Sequence, residues 1–124
     1  MRLAHLSLLV PDQDAAIDWF TTVLRWRLVA DEDQGAKRWV VVAPSGGGTS
    51  IVLALAVGAQ AELIGRQGGG RVWLFLETPD FAAEHARLCR AGVAFEEAPR
   101  DEPYGTVAVF ADPWGDRWDL IQPG

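Results

Sequence analysis

His5-Leu6-Ser7-Leu8-Leu9-Val10-Pro11-Asp12 and Trp73-Leu74-Phe75-Leu76-Glu77-Thr78-Pro79-Asp80 are the two stretches whose reading decides the fold. They belong to β-type runs, Arg2 to Val10 and Arg71 to Thr78, each halted by a proline that cannot donate to a ladder. The aspartate after each proline is suited to capping a helix. The two stretches repeat at an offset near 67, 68 residues here, and Trp39-Val40-Val41-Val42 and Gly48 fall over Thr106-Val107-Ala108-Val109 and Gly115 at 67.

Each half continues alike. Ala16, Phe20, Val23 and Leu24 recur at i, i+4, i+7 and i+8, as do Phe81, His85, Leu88 and Cys89, with Gly92 placed to terminate the second run. The spacing predicts two amphipathic helices of about twelve residues, with His85 structural and Cys89 an inert thiol on the buried stripe. Three strand-like runs follow each helix: Arg27 to Glu32, Arg38 to Ala43 and Ser50 to Ala56, then Val93 to Glu97, Gly105 to Ala111 and Arg117 to Gln122. Turn chemistry separates them at Ser45-Gly46-Gly47-Gly48 and Asp112-Pro113-Trp114-Gly115. The predicted order is βαβββ twice, in modules 1–56 and 71–124 of a single domain spanning 1–124. Residues 57–70 form a glycine-rich linker with a short helical piece, Ala59 to Ile64, and a flexible or sharply turned triplet, Gly68-Gly69-Gly70. The triplet lacks the spacing of a phosphate-cradling loop and precedes a strand.

The length, 124 residues, suits one domain. Eleven Lys and Arg against seventeen Asp and Glu give a net charge of −6, which argues against nucleic acid and anionic membrane as partners. No apolar run approaches the length of a membrane span. The single cysteine, Cys89, closes no intrachain disulfide, and the first residues do not read as a signal peptide, so a cytoplasmic location is expected. Six tryptophans are the compositional excess.

The paired βαβββ pattern, the opening His-x-x-Leu-x-Val-x-Asp from His5 and the closing Asp-Pro-x-Gly-x-x-Trp-Asp-Leu from Asp112 resemble the vicinal oxygen chelate superfamily. Its members include glyoxalase I, extradiol dioxygenases, fosfomycin resistance enzymes and bleomycin-binding resistance proteins. The resemblance implies an α+β fold in which eight strands form a cup-shaped mixed sheet with helices outside, a ligand in the cup, and a homodimer. With His5 facing inward, strand alternation turns Ser7 and Leu9 the same way, and likewise Trp73, Phe75 and Glu77 on the equivalent strand. Ser50, Val52 and Ala54, and Arg117, Asp119 and Ile121, line the two closing strands. Trp39 and Tyr104 are further candidates, the latter reaching over the pocket mouth or packing.

In metal-binding members of the superfamily, ligands stand on the first and last strand of each module. Carried over, those positions are His5, Val52, Trp73 and Asp119. His5 and Asp119 are residual metal candidates, whereas Val52 and Trp73 offer no useful lone pair. Glu77 lies about 13 Å along the strand from Trp73, at 3.3 Å per residue. The acid on an apolar strand, Asp119, needs a partner. Arg117, His5 and a bound ligand are the alternatives. No nucleophile–histidine–acid arrangement is indicated, and Glu96-Glu97 and Asp101-Glu102 read as solvated turn charges.

The expected function is metal-free and cofactor-free binding of an aromatic or cationic small molecule, with His5, Ser7, Trp39, Val52, Trp73, Phe75, Glu77, Tyr104, Arg117 and Asp119 as ligand-binding residues. The alternative is a metal-dependent lyase or isomerase of glyoxalase type, or a dioxygenase-like enzyme, using a divalent ion on His5 and Asp119. A third reading is a subunit or scaffold with no ligand of consequence.

Overall fold

Each of the two proline-ended runs becomes the first strand of a four-stranded mixed sheet, and each following aspartate caps a helix. The computed structural model describes Met1–Gly124 and divides into two units, Met1–Ile64 and Gly65–Gly124. The class is α+β and the strands number eight, as expected, with the sixth displaced from its expected residues. No helix is long and apolar enough to cross a membrane.

In the first unit, β1 (His5–Val10), β2 (Arg27–Asp33), β3 (Arg38–Ala43) and β4 (Ser50–Leu55) lie in the order β1-β4-β3-β2, with β1 parallel to β4 and the other pairs antiparallel. Asp12 is extended, and its carboxylate accepts the Ala15 N–H at 3.0 Å, starting α1 (Gln13–Asp18). Such a cap contributes about 1 kcal/mol. The amide of the buried Gln13 donates to the carbonyls of Leu53 (2.9 Å) and Arg38 (3.1 Å), fixing the helix to the sheet. Leu8, Val10, Val40, Val42, Ile51 and Leu53 meet Ala16 and Phe20 in the core.

The first predicted helix changes character midway. After α1 the chain runs through a π-helical turn, Trp19–Val23, where the Leu24 N–H donates to the Trp19 carbonyl at 3.3 Å. A π turn accommodates one extra residue, so Leu24 takes nearly the phase of an i+7 position and is buried. Cys89 has no such help in the second helix.

That helix, α2 (Phe81–Arg90), is capped by Asp80, whose carboxylate accepts the Ala83 N–H at 3.1 Å. At 3.6 residues per turn Leu88 stays in phase with Phe81 and is buried, while Cys89 rotates off the stripe and is exposed, contrary to the core thiol expected. His85 stands half-buried between the rings of Phe81 (5.4 Å) and Phe95 (4.4 Å). Gly92, at φ 90°, ends the helix.

In the second unit, β5 (Val72–Glu77), β6 (Arg100–Glu102), β7 (Gly105–Ala111) and β8 (Arg117–Pro123) lie in the order β5-β8-β7-β6. The strand expected over Val93 to Glu97 does not form. Phe95 makes one bridge to Phe110, and regular pairing begins only at Arg100, after Pro99. Proline removes a ladder donor, and the side chains of Glu96 and Glu97 are turned into ion pairs with Arg117 and Arg100.

The glycine-rich segment is sharply turned. A 3-10 helix, Gly58–Leu63, precedes Gly65, where a Cβ would collide with the Trp114 carbonyl. Gln67 donates its backbone N–H (3.1 Å) and side-chain amide (3.0 Å) to the Asp116 carboxylate.

The Asp-Pro-x-Gly turn between β7 and β8 is built on the buried Asp112. Its Oδ1 accepts the N–H groups of Trp114, Gly115 and Asp116 at 3.0–3.1 Å, and its Oδ2 accepts the indole N–H of Trp118 at 3.0 Å. Trp118 is 1% exposed and stacks on Phe110.

Burial pushes the Asp112 carboxyl from 3.8 up to about 6, against the pull of the Trp118 indole and with a push from the Asp116 charge. The native protein therefore holds this proton more tightly than the unfolded chain. Its contribution to stability is full below about pH 4 and falls by about 3 kcal/mol as pH rises to about 6. Denaturant unfolding across that window is expected to show the decline. Asp112→Asn is expected to be less stable throughout, having lost the indole's partner, but with a visibly shallower decline.

Candidate functional site

In the first unit the alternation predicted for β1 holds: His5 and Ser7 are exposed on one face, and Leu8 and Val10 are buried on the other. The register pairs His5 with Ser50, Ser7 with Val52, and Val52 with Val41. Trp39, two residues before Val41, shares that face. Its ring stands edge-on to the His5 imidazole, with centroids 6.1 Å apart and planes at 80°. The structure thus brings His5, Ser7, Val52 and Trp39 together.

In the second unit the row across the sheet is Phe75, Asp119 and Val109, each the direct neighbour of the next. Phe75 is 65% exposed, an unusual state for a ring on a strand centre. Glu77 lies opposite Ile121 and is exposed. Trp73 falls in a register shift between Val72 and Leu74 and is half-buried. A bulge of this kind re-aims a side chain. Gly68 lies so close behind it that a Cβ there would meet the Trp73 Cβ at 2.6 Å.

Asp119 is the most unusual group on this face. Its Oδ1 is shielded from solvent and has no hydrogen-bond partner in the protein. Burial raises its carboxyl above the ordinary range, with Arg100 pulling it down and Glu97 pushing it further up. The pairing with Arg117 weighed from the sequence is not formed. Arg117 instead donates through Nε (2.8 Å) and an Nη (2.7 Å) to both oxygens of Glu96, and through its other Nη to the Gly70 carbonyl (3.0 Å). The guanidinium holds the Glu96 carboxyl below its usual range.

Tyr104 is 56% exposed at the turn between β6 and β7, beside Gly105. Four residues of strand separate Gly105 from Val109, about 13 Å at 3.3 Å per residue, so Tyr104 does not join the Asp119 row. Sequence reasoning missed Arg100, which donates to Glu97 (2.9 Å) and Glu102 on the same side of the sheet. Glu96 and Glu97 read as solvated charges because the strand expected there hid their partners.

Of the positions the family resemblance assigns to metal ligands, His5 and Asp119 carry a donor atom. Of the four carried-over positions, Val52 and Trp73 supply no donor. The structure gathers no group of three or more His, Cys, Asp or Glu side chains placed to hold an ion.

The sequence profile of the Glyoxalase/Bleomycin resistance protein/Dioxygenase superfamily matches residues 2–120, and the chain belongs to that superfamily. An uncharacterised protein of Shewanella frigidimarina (strain NCIMB 400) is 45% identical over 124 residues, covering 97% of this chain and 92% of its own. Among solved structures, TnmS3, an antibiotic binding protein from Streptomyces sp. CB03234, matches with a TM-score of 0.81 at 32% identity, over 100% of this chain and 97% of that one. A glyoxalase/bleomycin resistance protein from Streptomyces sp. CB03234 matches with a TM-score of 0.75 at 34% identity, over 96% and 98%.

An orphaned, desolvated carboxylate oxygen costs stability. Asp119→Asn is therefore expected to raise Tm by a few degrees near neutral pH. The gain should vanish in acid, where the wild-type carboxyl is already protonated. Calorimetry at both pH values checks this, and a lower Tm for the variant near neutrality would show that Asp119 has a partner.

Proposed function

We propose that this chain is a small-molecule binding protein that holds a planar aromatic ligand by stacking and polar contact, without a metal or other cofactor. The observation that carries the proposal is the pairing of an exposed Phe75 ring with the partnerless Oδ1 of Asp119, its direct neighbour across the sheet. Both groups are incomplete in the isolated chain. An aromatic ligand removes the ring from water, and a donor on that ligand satisfies the oxygen.

The energy scale is adequate. Covering about 100 Å² of apolar surface at about 25 cal/mol per Å² contributes about 2.5 kcal/mol, and a well-placed aromatic pair adds about 1 kcal/mol. A hydrogen bond to an ionised carboxylate adds about 2 kcal/mol. Trp73, backed by Gly68, and the His5–Trp39 pair are further aromatic surfaces in their respective units. The antibiotic binding protein TnmS3, alike over the whole chain, supports the same class of function. Binding of this kind needs no nucleophile, and the donor set argues against chemistry at a metal. The proposal includes the homodimer that the family resemblance implies, with light scattering at twice the 13.5 kDa chain mass as its check.

Calorimetric titration with planar aromatic compounds, antibiotics among them, tests the reading on chelator-treated and metal-loaded protein. Saturable binding of equal strength in both is expected. Phe75→Ala should weaken it about tenfold, which corresponds to about 1.4 kcal/mol. Absence of binding across the panel would overturn the proposal, and binding only after metal loading would overturn its metal-free part.

A further inference from the structure

We infer that Asp119 selects the charge of the ligand, so that the preferred class is an aromatic ring carrying a protonated amine or guanidinium one or two bonds from the ring. The inference rests on the binding reading above and goes beyond it in naming the recognised group.

The argument starts from how the neighbouring cations are used. Two arginines lie on the Asp119 side of the second sheet, and both are committed elsewhere. Arg117 grips both oxygens of Glu96 in a fork and gives its remaining contact to the Gly70 carbonyl. Arg100 donates to Glu97 and Glu102. Neither guanidinium donates to Asp119, whose Oδ1 is left without a partner. Glu96, Glu97 and Glu102 thus take up the two arginines, and Glu77 lies two residues from Phe75 along β5.

Each class of ligand group fares differently there. A carboxylate or phosphate would meet the Asp119 carboxylate while the arginines it needs are already engaged. A neutral hydroxyl would satisfy the hydrogen bond but bring no charge opposite the carboxylate. A protonated amine or guanidinium supplies both the donor and the charge. The register adds a distance. Phe75 and Asp119 are directly paired across β5 and β8, and such side chains start about 5 Å apart. A ligand ring stacked on Phe75 therefore places a cation one or two bonds from that ring within reach of Asp119. There it also feels the face of the Phe75 ring.

Titrations of the full-length chain with naphthylmethylamine, naphthylmethanol and naphthoate test the inference, because the three share a ring and differ in charge. The amine is expected to bind at least about tenfold more tightly than the alcohol, with naphthoate weakest and the preference shrinking as salt is added. Asp119→Asn is expected to abolish the preference, bringing the amine-to-alcohol affinity ratio down to about one. Asp119→Ala serves as the second variant, and thermal melts of both establish that they fold. An alcohol that binds as well as the amine, or an amine preference that survives in Asp119→Asn, overturns the charge selection alone. Failure of all three ring compounds to bind overturns it together with the binding reading.

Discussion

The Asp112 carboxylate is the interaction on which the second unit's arrangement depends. By accepting three consecutive backbone N–H groups and the Trp118 indole, it fixes the turn that joins β7 to β8. That turn sets the register in which Ala111 pairs with Arg117, Phe110 with Trp118 and Val109 with Asp119. Side chains on a strand alternate with period two, so a slip of one residue would exchange the faces of Trp118 and Asp119. One turn thus decides both that the indole is core and that the carboxylate faces Phe75. Asp116, in the same turn, accepts two N–H groups from Gln67 and so ties the preceding glycine-rich segment to the sheet. The same segment carries Gly68, against which Trp73 is set.

The first unit solves the corresponding problem with a different group. Its turn at Ser45-Gly46-Gly47-Gly48 contains no buried acid, and a backbone hydrogen bond from Gly47 to Pro44 closes it. Register there is reinforced from the helix, where Gln13 donates its amide to carbonyls on β3 and β4. The second unit reverses the direction, with the Gln122 side chain of β8 accepting the Phe81 N–H at the start of α2. The two units share strand order and capping logic, yet the polar anchors between helix and sheet run in opposite senses. This is why the repeat is visible as a pattern of apolar residues and not as identity.

The legible part of the sequence is what local physics dictates. Proline ended β1 in both prediction and structure, aspartates capped both helices, and period-two alternation placed His5 and Ser7 opposite Leu8 and Val10. What stayed hidden depends on groups distant in the chain. The strand expected over Val93 to Glu97 is displaced past Pro99 because Glu96 finds Arg117, 21 residues later. Leu24 and Cys89 hold the same position in their patterns, and only the π turn before Leu24 separates a buried residue from an exposed one. The partner of Arg117 was open for a related reason, since i+2 proximity on a strand says nothing of which loop folds over it.

These hidden contacts also give the candidate site its character. Had Arg117 or Arg100 paired with Asp119, the carboxylate would be an internal ion pair with nothing left to offer. Because the glutamates of the displaced segment engage both arginines, Asp119 keeps a buried acceptor that the protein does not satisfy. At a position where the family resemblance places a metal ligand, an ion would meet that demand. Here the neighbouring carried-over position is Trp73, which offers an aromatic face and no lone pair for an ion. On the proposed reading, the unsatisfied acceptor and the aromatic surface call for one molecule that brings its own donor, and that ligand takes the place in the charge balance that a metal holds in chelating relatives.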